Sequence, residues 1–557
     1  MSAPTAALYY ATDGFDTSRP KLMGRHAAGE GFLTAMVRHS GFDRLVALVP
    51  TAADANGFAQ QVTALGGTMP TQAILETDLH KLAETGALML PGPGLGPHAW
   101  RRRRLGQGRF SLIGLTHTTA SAGAMDNIAD LLTAPVQPWD ALICTSRAVA
   151  AMVGRLLAAE GDYLSRRLGA TRLALPPRPV IPLGVDVPAF APDPAARAGW
   201  RAQLGLAPQD VLVLHHGRLS FHAKAHPAPM FAALAAAAGA APAGARVHLL
   251  LSGWFADDHQ RNAFLAMARH FAPGLPVHHV DGRQKAVRAG IWSAADIFTL
   301  LSDNIQETFG LAPVEAMAAG LPVVGTDWDG LRDTIVHGET GFLVPTLMAG
   351  PMADLAARHE AGTDSYDSYI AGAMQFTAVD VPAATAAFAA LIADPGRRAA
   401  MGAAGHARAR ATFDWAPILG QYRALWAELA TIRNRGQGEV AAPLPGEERV
   451  PRRADPSRIF ADYPTRRLTP ETRLALPPGI GAAETLARIG TLVGVAGALP
   501  RADLLPAQDA LAEALAVLEQ GPTTAGHLAA SLPAARAARL HRALAWLLKM
   551  DLLRLAP

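Results

Sequence analysis

Short apolar runs alternate with longer stretches of helical periodicity along most of this chain, and that rhythm restricts the fold more than any other feature. The runs include residues 6–12, 44–50, 111–117 and 141–146 in the first half, then 178–184, 211–217, 246–253, 295–301 and 321–327. Runs of this kind with helical patterns between them mark βαβ units, whose strands pair in parallel sheets. Polar residues and glycines gather where the runs end: Thr12-Asp13-Gly14, Thr116-His117-Thr118, His216-Gly217-Arg218 and Thr326-Asp327. Ligands of open parallel sheets bind at the carboxyl ends of the strands. Two such sheets would set two crevices face to face.

Length supports two sheets, because 557 residues exceed what one core organises, roughly 250–300 residues. The pattern divides into a Rossmann-like domain over 1–180 and a second over 181–433 that ends in closing helices. A linker rich in Pro, Gly and charge covers 434–470. A small, mostly helical domain occupies 471–557, with breaks at Gly521-Pro522 and Pro533 and a winged-helix-like outline. A net charge of +3 is small for this length and argues against general nucleic-acid binding. The lone cysteine, Cys144, rules out an intrachain disulfide framework and reads as inert core. The sequence has neither a signal-peptide pattern nor an apolar run of the roughly 20 residues a spanning helix needs. A cytoplasmic protein is therefore expected.

The richest segment is SDNIQETFGLAPVEAMAAGLPVVGTD, residues 302–327. Pro313 suits an early helical position and Gly320 a cap, so a helix of about two turns separates two strands. The backbone N–H groups of Phe309, Gly310 and Leu311 lie at its positive end, suited to anionic or hydroxyl oxygens. Glu307 at the loop mouth can accept hydrogen bonds from two neighbouring sugar hydroxyls, and Glu315 from two ribose hydroxyls. Such charge-assisted bonds contribute roughly 1.5–3 kcal/mol each. A second strand ends at Gly217, followed by Arg218 and Lys224. These cations, one a planar fork and one a point charge, can converge on a diphosphate. Lysines are scarce here, only Lys21, Lys81, Lys224, Lys285 and Lys549, which favours a chosen role for Lys224.

The run from Glu307 to Glu315 resembles the E-x7-E signature of glycosyltransferase family 4, retaining enzymes of the GT-B fold. Gly217-Arg218-Leu219 with Lys224, VIPLGVDVPAF at 180–190, ALICTSRAV at 141–149 and DPGRRAAMG at 394–402 extend the likeness over roughly residues 1–432. The resemblance implies two Rossmann-like domains facing across a cleft and a hexose transferred from a UDP- or GDP-linked donor. No cofactor or metal is implied. Arg218 and Lys224 would bind the diphosphate. Glu307 would hold the sugar, helped by the amides of Phe309, Gly310 and Leu311, and Glu315 the ribose. His117 would stand near the reacting carbon. The glycine loop near the donor phosphate would be residues 23–32, with Gly24 the best fit by spacing and Gly29 and Gly31 as alternatives. Arg283, after a strand near the cleft, is the candidate for the base. Two departures, this loop and Asp327-Trp328-Asp329-Gly330, stand where the family commonly has Gly-Gly pairs, so sugar and acceptor stay open.

Other features have plainer readings. Asp327-Trp328-Asp329 matches a metal-binding D-x-D pattern of a different glycosyltransferase fold, and is read here as a turn beside the cleft. PGPGLG at 91–96 lacks N–H donors at its prolines and reads as a surface loop. The run Trp100-Arg101-Arg102-Arg103-Arg104 is either a solvated turn or a contact with anionic lipid at the inner membrane face. Arg536, Arg539 and Arg542 recur along the last helix, where a homodimer or protein contact is favoured over DNA. A regulator or scaffold that senses a sugar nucleotide through that tail is the alternative to an enzyme.

Overall fold

The computed structural model describes residues 5–15, 24–436, 440, 447–448, 450–495, 497–498, 504–506, 508–530 and 532–557. Residues Met1–Arg449 make one compact unit and Val450–Pro557 another.

The first unit holds two six-stranded sheets. Strands β1 (Ala7–Tyr9), β2 (Leu45–Val49), β3 (Thr71–Leu75), β4 (Ala87–Met89), β5 (Ser111–Leu115) and β6 (Ala141–Ile143) run parallel in the order β3-β2-β1-β4-β5-β6. Strands β7 (Val211–His216), β8 (Val247–Gly253), β9 (Val277–Asp281), β10 (Ile297–Leu300), β11 (Val323–Thr326) and β12 (Gly341–Val344) repeat that plan as β12-β11-β10-β7-β8-β9. Both orders reverse at one point, between β1 and β4 and between β7 and β10. That reversal opens a crevice at the strand ends. Most central strands are buried on both faces, as the unbroken apolar runs require: β2, β5 and β8 have every residue buried. An antiparallel pair, β13 (Thr346–Met348) and β14 (Thr377–Val379), lies outside the six-stranded sheets.

Three details differ from expectation. The run 178–184 forms no strand, only a bridge from Val180 to Cys144. Pro177 and Pro179 accept backbone bonds from Leu142 and Cys144 at 3.0 and 2.9 Å but have no N–H to continue a ladder. The expected loop 23–32 is helical from Gly24, the start of the helix Gly24–His39. Its glycines serve packing: a Cβ on Gly29 would stand 2.7 Å from the Gly14 carbonyl oxygen, and one on Gly31 3.1 Å from the Trp415 ring. Finally, the loop 91–96 is not all surface, since Leu95 and Gly96 are buried.

The chain passes to the second sheet near Val185 and returns beside it. Val185 N–H donates to Phe413 O at 2.8 Å, and Trp415 N–H to Val185 O at 3.2 Å. The helix Trp415–Gly436 then packs on the first lobe, with ring centroids of Tyr422 and Phe32 5.0 Å apart and those of Trp426 and Phe42 5.8 Å apart. Near its end Arg433 donates to Gly86 O and to Ser111 Oγ.

Part of the basic run before β5 is taken up by the fold, while Arg101 and Arg104 are exposed. Arg102 is fully buried and paired with buried Asp140, Nη2 to Oδ2 at 2.7 Å. Arg101 pairs with Glu76 at 2.9 Å, and Arg103 with Glu447. Among the described residues no helix is long and apolar enough to cross a membrane.

The second unit has its own core around Leu474, Leu511, Leu515, Leu540, Leu544 and Leu547. Helices Ala482–Val493, Gln508–Glu519, Ala525–Ala529 and Ala534–Lys549 surround a small antiparallel sheet. Its strands β15 (Arg473–Ala475), β16 (Thr523–Thr524) and β17 (Arg554–Leu555) lie in the order β16-β15-β17. Arg536, Arg539 and Arg542 are exposed.

Asp140 also accepts from the N–H groups of Leu112 and Gln137, each at 2.7 Å. Asp140→Ala would strand the Arg102 charge in the core. Urea unfolding should show a loss of about 3–5 kcal/mol.

Candidate active site

Two loops at the switch point of the second sheet build the site. The first follows β7 and carries Arg218 and Lys224; the second follows β10 and carries Glu307. Three hydrogen bonds tie them together. Ser302 Oγ donates to Lys224 O at 3.0 Å, Asn304 Nδ2 to His222 O at 2.8 Å, and His226 N–H to Asp303 Oδ1 at 3.1 Å. Within the second loop Glu307 N–H donates to Asn304 O at 3.1 Å. Trp328 Nε1 donates to the same carbonyl, also at 3.1 Å. The Asp327-Trp328-Asp329 turn therefore props the loop, and Asp327 itself pairs with Arg332 at 2.8 Å.

This scaffold brings Lys224 Nζ onto Glu307 Oε2 in a partly buried ion pair. The other oxygen, Oε1, accepts from Gly310 N–H at 3.0 Å. Gly310 has φ +85°, a left-handed conformation suited to glycine, and this turns its amide back to the carboxylate. The three amides at 309–311 are thus not all open to a ligand, because that of Gly310 is committed to Glu307. Phe309 is buried with its ring 5.9 Å from that of Phe413. Leu311 opens the helix Leu311–Ala318, matching the two turns expected.

Arg218 is half-buried and donates to Ala223 O at 3.2 Å. Burial lowers its pKa, and the charge of Glu307 opposes that shift. Burial pushes the Glu315 carboxyl up to about 7 against the attraction of Lys224 and Arg288. Arg218, Lys224, Glu307 and Glu315 therefore share one electrostatic neighbourhood. Arg288, on the helix Lys285–Ala294, joins them and was not singled out from sequence. No motif marks it, since it sits mid-helix rather than at a strand end. The strand-end arginine, Arg283, is exposed, paired with Asp281 at 2.7 Å and laid 5.7 Å from the Trp254 ring centre. Gly24 begins its helix, and residues 16–23 before it lie outside the described residues.

The first lobe meets this site directly. Thr308 Oγ1 donates to the His117 carbonyl at 3.0 Å, and Ser146 Oγ donates to the Thr308 carbonyl at 2.8 Å. Ser146 Oγ also lies 3.4 Å from Asp329 Oδ1. Arg147 N–H donates to Asp333 Oδ2 at 2.6 Å. His117 is half-buried at the end of β5 and lines an apolar pocket in the first lobe. Ser146 and Asp329 were not anticipated as lobe-joining residues, because nothing in a sequence pairs positions so far apart.

Two parallel sheets of matching strand order, with charged loops at the switch point of one, define the GT-B glycosyltransferase fold. Within that class, residues 210–358 are a domain matching the family described as Glycosyl transferases group 1. The chain is 33% identical over 172 residues to a D-inositol 3-phosphate glycosyltransferase of Jonesia denitrificans, which covers 30% of this chain and 39% of that one. It is 28% identical over 260 residues to a GDP-mannose-dependent alpha-(1-6)-phosphatidylinositol monomannoside mannosyltransferase of Mycolicibacterium smegmatis, covering 45% and 55%. The chain thus spans about half or less of the length of these curated relatives. Among solved structures, Anabaena Alr3699/HepE in complex with UDP and glucose shares the fold. The TM-score is 0.50 at 16% identity, over 76% of this chain and 100% of that one.

Asp329 gives a pH test. Burial first, then the charge of Glu307, pushes its carboxyl up to about 7. A folded-state value above the unfolded one (about 3.9) means the native state holds the extra proton. Stability should therefore fall as pH rises from about 4 to 7. Urea unfolding across that range should show a shallower decline in Asp329→Asn.

Proposed function

We propose that this protein is a retaining glycosyltransferase that moves a hexose from a nucleotide-diphosphate donor to an acceptor hydroxyl. The observation that carries this reading is the Lys224–Glu307 ion pair at a strand-end crevice, with Arg218 within the electrostatic reach of Glu307 and Glu315 within that of Lys224. On this reading Arg218 and Lys224 neutralise the donor diphosphate. Lys224 exchanges part of its contact with Glu307 for phosphate oxygen, which frees Oε2 to accept from sugar hydroxyls. Glu315 holds the ribose hydroxyls, and Arg288 lies close enough to favour its ionised form. Phe309 and Leu311 flank the turn that presents Glu307.

The reaction breaks the bond from the anomeric carbon to the donor phosphate oxygen and forms one to the acceptor oxygen. The acceptor proton passes to the departing phosphate, so no enzymic nucleophile is required. His117 stands near the reacting carbon. Charge left on the diphosphate falls to the two cations, which would do the work otherwise assigned to a metal ion. Both bases stay within the reading, UDP and GDP. A relative named for GDP-mannose and a fold neighbour holding UDP and glucose support a sugar nucleotide in general.

A thermal-shift screen over UDP- and GDP-linked hexoses tests the donor. A sugar nucleotide at 100 times its dissociation constant should stabilise the chain by about 2.7 kcal/mol. Lys224→Ala and Glu307→Ala should each lower turnover by about 100- to 1,000-fold, the scale of losing one electrostatic donor. Circular dichroism checks that both remain folded. Donor binding without transfer or hydrolysis would favour the sensor over the enzyme.

A further inference from the structure

Asp329 holds a backbone conformation that this lobe otherwise gives to glycine. Its φ is +44°, and among the described residues Asp551 alone shares a positive φ with it outside glycine. Other left-handed turns of the lobe use Gly310 at +85° and Gly320 at +75°. In this region a Cβ crowds the backbone, a strain that aspartate tolerates better than most residues and that glycine escapes. Asp551 is exposed, just past the helix Ala534–Lys549. Asp329 is partly buried, and the charge of Glu307 reaches it. A strained residue kept beside a site, where glycine would relax the turn, points to work done by its side chain.

That side chain stands at the junction of the lobes. The turn presses on the Glu307 loop: a Cβ on Gly330 would lie 2.4 Å from Phe309 Cα and 2.7 Å from the Thr308 carbonyl oxygen. From the first lobe, Ser146 Oγ lies 2.8 Å from that same carbonyl and 3.4 Å from Asp329 Oδ1. It also accepts from Val149 N–H at 3.2 Å, which caps its own helix. A hydroxyl carries one hydrogen, and a carbonyl can only accept, so that hydrogen goes to Thr308. The contact with Asp329 is completed when the carboxyl brings a proton of its own. Burial first, then Glu307, pushes this carboxyl up to about 7, which keeps its protonated form at hand near neutral pH. Thr308 is thus held twice from the first lobe, by Ser146 at its carbonyl and by the His117 carbonyl at its hydroxyl, one residue from Glu307. We propose that Asp329 is a positioning residue of the transfer reaction, fixing Ser146 on the Thr308 turn so that the Glu307 loop and the His117 strand end keep one spacing across the crevice. This rests on the glycosyltransferase reading and adds a residue to it.

The test uses the full chain and the donor found by thermal shift, with release of nucleoside diphosphate as the turnover, so that no acceptor need be chosen. Asp329→Gly should keep or raise Tm, because the turn relaxes. The same variant should lower kcat about 10- to 100-fold and leave the donor KM within about twofold, the pattern of lost alignment rather than lost binding. Asp329→Asn fits a left-handed turn and offers an amide N–H to Ser146, so it should keep kcat within about threefold of wild type. Ser146→Gly spares the helix cap, since glycine is nearly as good there. It should lower kcat by a similar factor, and the double variant with Asp329→Gly should lose no more than about twofold beyond the worse single change. A clear Tm loss or failure to fold in Asp329→Gly would make the residue structural and overturn the inference. Wild-type kcat in that variant, no rescue by asparagine, or losses that simply multiply in the double variant would overturn it too. Wild type that turns over while the variants match it sinks this role alone. Wild type that releases nucleoside diphosphate from no sugar nucleotide sinks the transferase and the positioning role together.

Discussion

The Lys224–Glu307 ion pair is the contact that joins the two loops of the candidate site in the second lobe. Its partners stand 83 positions apart and belong to loops after two adjacent strands, so they meet only because the sheet places β7 beside β10. Removing one partner would leave a poorly hydrated charge, a cost that exceeds the value of the pair itself. Backbone bonds through Ser302, Asn304 and Asp303 keep the two loops in register. Gly310 holds the second carboxylate oxygen. A ligand that brings its own negative charge can take the place of Glu307 beside Lys224 without exposing a bare ammonium group.

Around that pair the charges are unevenly solvated. Burial pushes Asp303, Glu315 and Asp329 each up to about 7, while it depresses Arg218. Burial thus works against the charged forms of all four groups. A polyanionic ligand would supply what the cations lack, and ribose or sugar hydroxyls would supply donors for the carboxylates.

Much of the fold was legible because buried parallel strands leave unbroken apolar runs. Residues 211–217, 246–253, 295–301 and 321–327 each contain an observed strand. Strands β3, β4 and β12 escaped notice, Ala87–Met89 being only three residues long, and Val277–Asp281, with two histidines and an aspartate, registered only as an unbounded strand before Arg283. Proline chemistry misled at 178–184, and helix-borne glycines misled at 23–32, where small residues serve close packing rather than a turn. At the site, strand ends and helix punctuation marked Glu307, Gly310, Arg218 and Lys224. Arg288 projects from mid-helix, and Ser146 with Asp329 meet only across the lobes, so local patterning carries no trace of them. Arg102 shows the converse, a cation in a charge run that looks like a surface yet is fully buried against Asp140.

The paired crossings at Val185 and Phe413–Trp415 have a mechanical consequence. Two backbone segments hydrogen-bonded side by side resist sliding and stretching but still permit bending, so the lobes are joined along a seam rather than by a loose tether. Trp415 stiffens that seam, for a Cβ on Gly184 would stand only 2.4 Å from its ring. Any swing of one lobe must pivot there and part Ser146 from Thr308 and Arg147 from Asp333 elsewhere between the lobes. Parting the lobes would therefore have to break those polar contacts as well as bend the seam.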